Sequence, residues 1–471
     1  MTHAPAREDP VVAAVSEVIG GPVGDHARPG RRWWRPVAVL MVLAAVVFSL
    51  GMVKTTPCYQ QTWTGNTTYQ NFCYSDLPYL YTARGFAEHN WPYTADPAVR
   101  ARYPDVMEYP VGISYWAWGA SWVTRWLVGS PDLSQRYQTP VGDLWNAPGV
   151  MKEVRVFFVV NAVGFAIVVI IAAGLLAGAA RRRPWDAAAF ALSPVLLMSG
   201  LVNWDLLAVG FVAGALYAWS RGRPMLTGLL IGLGTATKLY PLFLLGGLLV
   251  ICLRRRRISD FLAATAAALL AWVVANLPAY VTGPEQWKVF WTFNSNRAAD
   301  LGSPWLALQQ MTNHTFSAHA INDASWLFFS AWCLGVLIIG LRAPATPRFA
   351  QLGFLLVAGF LLVNKVYSPQ YVLWLLPLAV LARPRWRDQL IWQGAELAYF
   401  CAVWWYLADK LQAGDGTSPF YWISIAVRMA GQIYLVVMVV RDMYRPWADP
   451  VRSATYHAPE PTEASAQPAL G

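Results

Sequence analysis

Uncharged apolar runs separated by arginine clusters are what most constrains this chain. Residues 261–281 carry no charged side chain, and 154–179 carry only Arg155. Crossing a bilayer core of roughly 30 Å takes about 20 such residues in helical form. The runs are continuous rather than alternating, and a helix satisfies its own backbone polar groups in lipid, so the spanning element is predicted to be helical. Of the 471 residues, 56% are hydrophobic and 13% charged, against about 25% charged in soluble domains. The predicted fold class is an all-α polytopic integral membrane protein.

The clusters Arg181-Arg182-Arg183 and Arg254-Arg255-Arg256-Arg257 fall between apolar runs and mark cytoplasmic loops. They bring membrane lipid headgroups in as partners. The net charge of +10 is explained by such clusters, so no nucleic-acid partner is inferred. Five cysteines are too few for a disulfide scaffold. Cys58 and Cys73 flank one outer loop and can bridge there, which requires an oxidising compartment. Cys252, Cys333 and Cys401 lie in apolar runs as packing residues. The chain has no CxxC, no HExxH and no cluster at metal-ligand spacing, so no cofactor or metal is expected.

Taken in order, 1–32 reads as a disordered cytoplasmic tail, 33–441 as the membrane domain and 442–471 as a second disordered cytoplasmic tail. Outer loops are expected at 54–110 and 282–322. Whether 111–128 crosses the membrane or lies beside it is open. Two pairs of short apolar runs follow. Runs 187–202 and 206–219 meet at Asn203-Trp204-Asp205, and runs 225–237 and 239–253 meet at Lys238-Leu239-Tyr240-Pro241. A third polar turn, Asn364-Lys365-Val366-Tyr367-Ser368-Pro369-Gln370, separates 349–366 from 371–381. Backbone breaks at membrane depth are tolerated where they line a cavity, so these re-entrant-type hairpins imply one open to the outer face. This reading gives about twelve spans with both ends inside.

In the first outer loop, Phe72-Cys73-Tyr74-Ser75-Asp76-Leu77-Pro78-Tyr79-Leu80-Tyr81 carries helix-start signals. Leu77, Leu80, Tyr81 and Ala87 repeat at helical spacing, which predicts a short amphipathic helix. Asp76 either caps that helix or is an acid able to activate a sugar hydroxyl. Glu108 is a second acid on the same loop, read as a helix-end charge or as lining the cavity mouth. Lys238 and Lys365, each in or beside an apolar run, either snorkel or bind an anion such as a lipid phosphate. Asp205 is read as the partner of one of these lysines, with an acid role in the cavity as the other possibility. Arg84 and Arg297 can hold phosphate in bidentate fashion, and His314 can serve as a base or donor. The many loop aromatics suit both headgroups and sugar rings.

Four stretches carry a family resemblance: Tyr74-Ser75-Asp76-Leu77, Glu108-Tyr109-Pro110-Val111, Ala236-Thr237-Lys238-Leu239-Tyr240-Pro241 and Tyr367-Ser368-Pro369-Gln370-Tyr371. In this order the chain resembles glycosyltransferase family 87 of the GT-C class, the actinobacterial polyprenyl-phosphate-mannose-dependent mannosyltransferases. The resemblance implies a GT-C-like bundle with amphipathic helices in a long first outer loop. It implies a polyprenyl-phosphate sugar donor, a lipid or glycan acceptor, and no metal. It also implies a site on the extracytoplasmic side of the cytoplasmic membrane. Asp76 matches the family's first-loop general base, and His314 is the loose counterpart of a late-loop histidine. With Glu108 these are the catalytic candidates. Arg84, Lys238, Tyr240, Arg297, Lys365, Tyr367 and Gln370 are expected on the donor phosphate, and Tyr74, Tyr79, Tyr109, Asn203 and Asp205 on the acceptor or sugar. Val111 stands where the family usually has a second proline. The main rival is a transporter or lipid-sugar flippase, which also needs polar residues at mid-depth, although no repeat of the two halves is evident. A non-catalytic assembly subunit is a third reading.

Overall fold

The computed structural model describes residues 35–453 apart from 66, 105–106, 181 and 413–416. The tail expected at 1–32, residues beyond 453 and Arg181 lie outside the described residues. Among the described residues every regular element is helical. The principal helices are α1 (Pro36–Lys54), α2 (Asp76–Ala83), α3 (Val111–Val128), α4 (Val150–Ala179), α5 (Asp205–Ser220), α6 (Pro224–Thr235), α7 (Leu244–Arg254), α8 (Ile258–Thr282), α9 (Pro284–Asn296), α10 (Ala318–Arg342), α11 (Phe349–Val363), α12 (Val372–Ala382), α13 (Trp386–Leu407) and α14 (Pro419–Tyr444).

Five of these, α1, α4, α8, α10 and α14, are long and apolar enough to cross a membrane. The 30 residues of α4 make about 45 Å at 1.5 Å per residue, more than a bilayer core requires. Its first turns therefore reach into the first loop, where Arg155 donates to the carbonyls of Tyr59 and Gln60. Helices α5, α6, α7, α11 and α12 are shorter and apolar. The chain breaks between them at 200–204, 236–239 and 364–368, as the polar turns predict.

Backbone hydrogen bonds stitch the outer loops to these breaks. Asp76 N donates to Val202 O at 2.8 Å, and Gly112 N to Ala236 O at 2.7 Å. Asp300 N donates to Lys365 O at 2.8 Å, and Tyr367 N to Leu301 O at 2.7 Å. At Gly112 a Cβ would sit 2.7 Å from Thr237 Oγ1, so a glycine lets the Glu108-Tyr109-Pro110 segment lie against the Lys238 turn. Helix α3 packs beside α4 and α8. Trp116 donates to Asn161 and Tyr115 to the Ala275 carbonyl.

Helices α6 and α8 meet through small residues. A Cβ on Gly228 would lie 1.9 Å from Ala264 O, and one on Gly232 would lie 2.2 Å from Ala268 O. Backbones this close need glycine, as in other membrane helix pairs. Gly232→Ala forces the helices apart and is expected to cost about 1–3 kcal/mol. A lowered melting temperature in detergent, with the wild type alongside, checks this.

At the arginine-rich end, fully buried Arg383 joins Asp388 at 2.7 Å and also pairs with Asp442. Arg348 joins buried Asp449 at 3.0 Å. Residues 442–453, expected as the start of a disordered tail, are thus folded onto the bundle. Their aspartates are the counter-charges of bundle arginines, which composition does not reveal.

Candidate active site

Helix α2 is capped by Ser75, whose Oγ accepts from Leu77 N at 3.4 Å. Leu77, Leu80 and Tyr81 are buried, and the helix ends at Ala83, short of Ala87, which falls in the next turn. Tyr81 donates to Glu153 of α4 at 2.8 Å. Glu153 in turn takes two bonds from buried Arg136, at 2.6 and 2.8 Å. This buried network anchors α2.

With Ser75 as the cap, the Asp76 carboxylate turns elsewhere. Tyr74 Oη donates to its Oδ1 at 2.9 Å, and Asn203 Nδ2 to its Oδ2 at 2.6 Å. Asn203 Oδ1 accepts from Trp204 N at 2.6 Å, which fixes the amide with its NH2 toward Asp76 and the Tyr109 oxygen, 2.8 Å away. Asp76 lines a cavity of about 380 Å³, together with Tyr74, Glu108, Tyr109, Asn203, Lys238, Arg297, Gln370 and Trp404. All three polar turns supply residues to it, in Asn203, Lys238 and Gln370.

Asp76 lies outside the membrane-spanning helices. Burial raises its pKa to about 6, opposed by the hydrogen bonds from Tyr74 and Asn203. Nearby Glu108 adds to the rise and Lys238 offsets it, about 6 being the net of all these effects. Such a carboxylate can accept a proton near neutral pH. Accepting a proton requires the ionised form, so transfer that depends on Asp76 is expected to fall as pH drops through about 6. Asn203→Ala removes a donor to that ionised form. A hydrogen bond to a charged group is worth about 1.5 kcal/mol, so the acid limb is expected about one pH unit higher. A kcat/KM profile against pH reads this shift.

The other expected site residues divide. Glu108 reaches the cavity, but Arg84 is spent on it, with both Nε and an NH2 within 3.0 Å of one carboxylate oxygen. Arg84 is therefore a partner for Glu108 rather than a cation free for phosphate. Lys238 is 3.4 Å from Asp205 and 4.8 Å from the Tyr109 ring centroid. Asp205 is fully buried and accepts from Trp374 Nε1 at 2.6 Å. It is the lysine's partner and is absent from the cavity wall, so it has no contact to offer a sugar. Arg297 lines the cavity and pairs with Asp300 at 2.5 Å.

Lys365 faces a second cavity of about 240 Å³, walled in part by Tyr240, Trp291, Asn294, Trp326, Phe329, Tyr371 and Trp374. Asn294, Tyr371 and Trp374 border both cavities. Lys365 donates to Asn322 Oδ1 at 2.7 Å and Ser295 O at 3.4 Å, both neutral acceptors. Tyr240 is buried and stacks on Trp374, with ring centroids 4.7 Å apart. Phe329 leads on to an apolar groove between α7, α10 and α11, of about 310 Å³.

Two more of the expected residues lie away from both cavities. Tyr367 is fully buried and gives its hydroxyl to Glu396 at 2.8 Å, with the Arg428 guanidinium 3.7 Å from its ring centre. It braces α13 and α14 and does not reach either cavity. His314 stands exposed in the turn after the helix Pro304–Thr312, its ring against Phe316, and it lines neither cavity. Tyr79 lines an open aromatic cavity beside Asp76, shared with Tyr74.

Several contributors carry no sequence signal. Trp374, Trp404 and Asn322 resemble ordinary membrane-helix and loop residues until the fold gathers them. Among the described residues no group of three or more His, Cys, Asp or Glu side chains gathers to hold a metal ion. The bridge Cys58–Cys73 is formed.

No curated protein sequence matches the chain. Residues 148–364 match the sequence model of glycosyltransferase family 87, a stretch that runs from α4 to the end of α11 and includes the Asn203 and Lys238 turns. A membrane-type helical bundle with a held carboxylate at a cavity fits that match, which spans a little under half of the 471 residues and points to a glycosyltransferase.

Proposed function

We propose that this glycosyltransferase moves a sugar, mannose by preference, from a polyprenyl-phosphate donor to a hydroxyl of a lipid or glycan acceptor, with inversion. The observation that carries this reading is Asp76. Its carboxylate is oriented by Tyr74 and Asn203 in a cavity that adjoins an apolar one holding Lys365.

In this mechanism Asp76 takes the proton of the acceptor hydroxyl as that oxygen attacks the anomeric carbon from the face opposite the phosphate. The bond from the anomeric carbon to the phosphate oxygen breaks, and its electron pair leaves on polyprenyl phosphate. Lys365, bonded to neutral oxygens, Arg297 and Lys238 stabilise the charge that develops there. The apolar groove past Phe329 suits an isoprenoid tail. The disulfide of the first loop suits an oxidising compartment, in accord with a site on the outer face of the cytoplasmic membrane. The proposed topology has about twelve crossings, short hairpins included.

Purified protein offered polyprenyl-phosphate-mannose, and separately a nucleotide-linked mannose, tests the reading. Product is expected from the lipid donor, with the anomeric configuration opposite to the donor's by NMR. Retained configuration, or product from the nucleotide donor alone, contradicts it.

A further inference from the structure

We infer that Glu396, acting through the Tyr367 hydroxyl, is a positioning residue that sets where Lys365 and Arg297 stand for the leaving phosphate. The inference rests on the transferase reading above and deepens its donor side. Neither Glu396 nor Tyr367 lines either cavity, so both act through the backbone they hold.

The two cations stand on two segments joined by a short ladder. Asp300 N donates to Lys365 O at 2.8 Å, and Tyr367 N donates to Leu301 O at 2.7 Å. Arg297 is tied to the same ladder through Asp300, at 2.5 Å. Arg297, Leu301 and Gln370 line the Asp76 cavity, and Lys365 lines the second one. Gly302 closes the ladder tightly. Its φ is +70°, and a Cβ there would lie 2.0 Å from Tyr399 Oη and 2.4 Å from Tyr367 O. The two segments therefore have no room to slide past each other at this point.

Helices α13 and α14 grip the ladder from behind with polar side chains. Glu396 accepts from Tyr367 Oη at 2.8 Å and from Trp392 Nε1 at 3.2 Å, so both its oxygens are engaged. Tyr399 Oη donates to Tyr367 O at 2.6 Å, and Gly302 N donates to Tyr421 Oη at 2.8 Å. Arg428, over the Tyr367 ring, donates to Gly302 O at 3.4 Å and to Gln432 Oε1 at 3.2 Å. All of these side chains are buried. A carboxylate and a guanidinium inside an apolar bundle are costly, and apolar side chains of similar volume would hold the helices together at least as well. What directional bonds add is one fixed place for the ladder. The positive charges that the ladder presents to the cavities are Lys365 and Arg297.

Farnesyl phosphate and farnesol serve as probes, because they share a tail and differ in the phosphate. Binding to the full chain in detergent is measured by calorimetry. The wild type is expected to bind the phosphate more tightly. Tyr367→Phe is expected to reduce that preference about tenfold, the worth of one charge-assisted hydrogen bond, with farnesol binding unchanged. Glu396→Leu is expected to do the same. Glu396→Gln keeps an acceptor for the Tyr367 hydroxyl and is expected to retain most of the preference. Equal loss of both ligands, an unchanged preference in Tyr367→Phe, or the same loss in Glu396→Gln as in Glu396→Leu overturns the inference. Should Glu396→Leu fail to fold, Tyr367→Phe, which keeps the ring, decides alone. The parent reading fails separately. A wild type that shows the preference and keeps it in Tyr367→Phe sinks only the positioning role, whereas a wild type without any preference for the phosphate sinks the donor reading and this inference with it.

Discussion

Asp76→Asn is expected to lower sugar transfer by about 10²–10⁴-fold, the usual contribution of a general base, with little effect on folding. The substitution keeps size and shape, and the amide oxygen can still accept from Tyr74 or Asn203. Ser75 rather than Asp76 caps α2, so no cap is lost. What disappears is the carboxylate that takes the acceptor's proton in the proposed mechanism. The structure offers poor substitutes. Glu108 is clamped by Arg84 at 2.9 Å, and His314 is exposed and lines neither cavity. Initial rates with equal amounts of folded protein measure the effect. Full activity in the variant would transfer the role of base to another group, with Glu108 first in line.

Lys238→Met is expected to cost about 3–5 kcal/mol of stability, the usual effect of removing one partner from a buried ion pair. Asp205 is fully buried, and apart from Lys238 its Oδ1 keeps only Trp374 while Oδ2 has no partner among the described residues. Without the lysine a carboxylate stays uncompensated at depth, where charge is expensive. The variant also removes a positive charge that helps keep Asp76 ionised, so its remaining activity is expected to need higher pH. A double variant, Lys238→Met with Asp205→Asn, removes both charges and keeps an acceptor for Trp374. It is expected to regain most of the stability but not the activity. Thermal unfolding in detergent with parallel transfer assays separates the two effects. Equal stability of Lys238→Met and wild type would mean that Asp205 is not charged.

The features most visible in the sequence are those set by solvent. The apolar runs and the three polar turns follow from the cost of polar groups in lipid. The structure has breaks at each turn. The pairing of Lys238 with Asp205 follows from the same cost, since a deep lysine needs a counter-charge. What remained hidden depends on long-range geometry. Asn203 reaches Asp76 across 127 positions, and no local pattern encodes that distance. Arg84 and Glu108 both look available in the sequence but neutralise each other in the fold. Tyr367 sits in a motif-like stretch, yet its hydroxyl turns inward to Glu396 on α13. The choice between Ser75 and Asp76 as cap was open because either side chain can accept a backbone N–H. The long reach of Asn203 across the fold gives Asp76 a second partner.

The central claim is that a lipid-phosphate sugar reacts at the Asp76 cavity. Its most direct test is transfer of radiolabelled mannose from polyprenyl-phosphate-mannose into a membrane lipid and glycan extract by the purified protein in proteoliposomes. Labelled glycolipid or glycan from wild type, and none above background from Asp76→Asn, is the predicted result. No labelled product from folded wild type with any polyprenyl-phosphate sugar, together with movement of the intact donor across the bilayer, would contradict the account and identify a transporter instead.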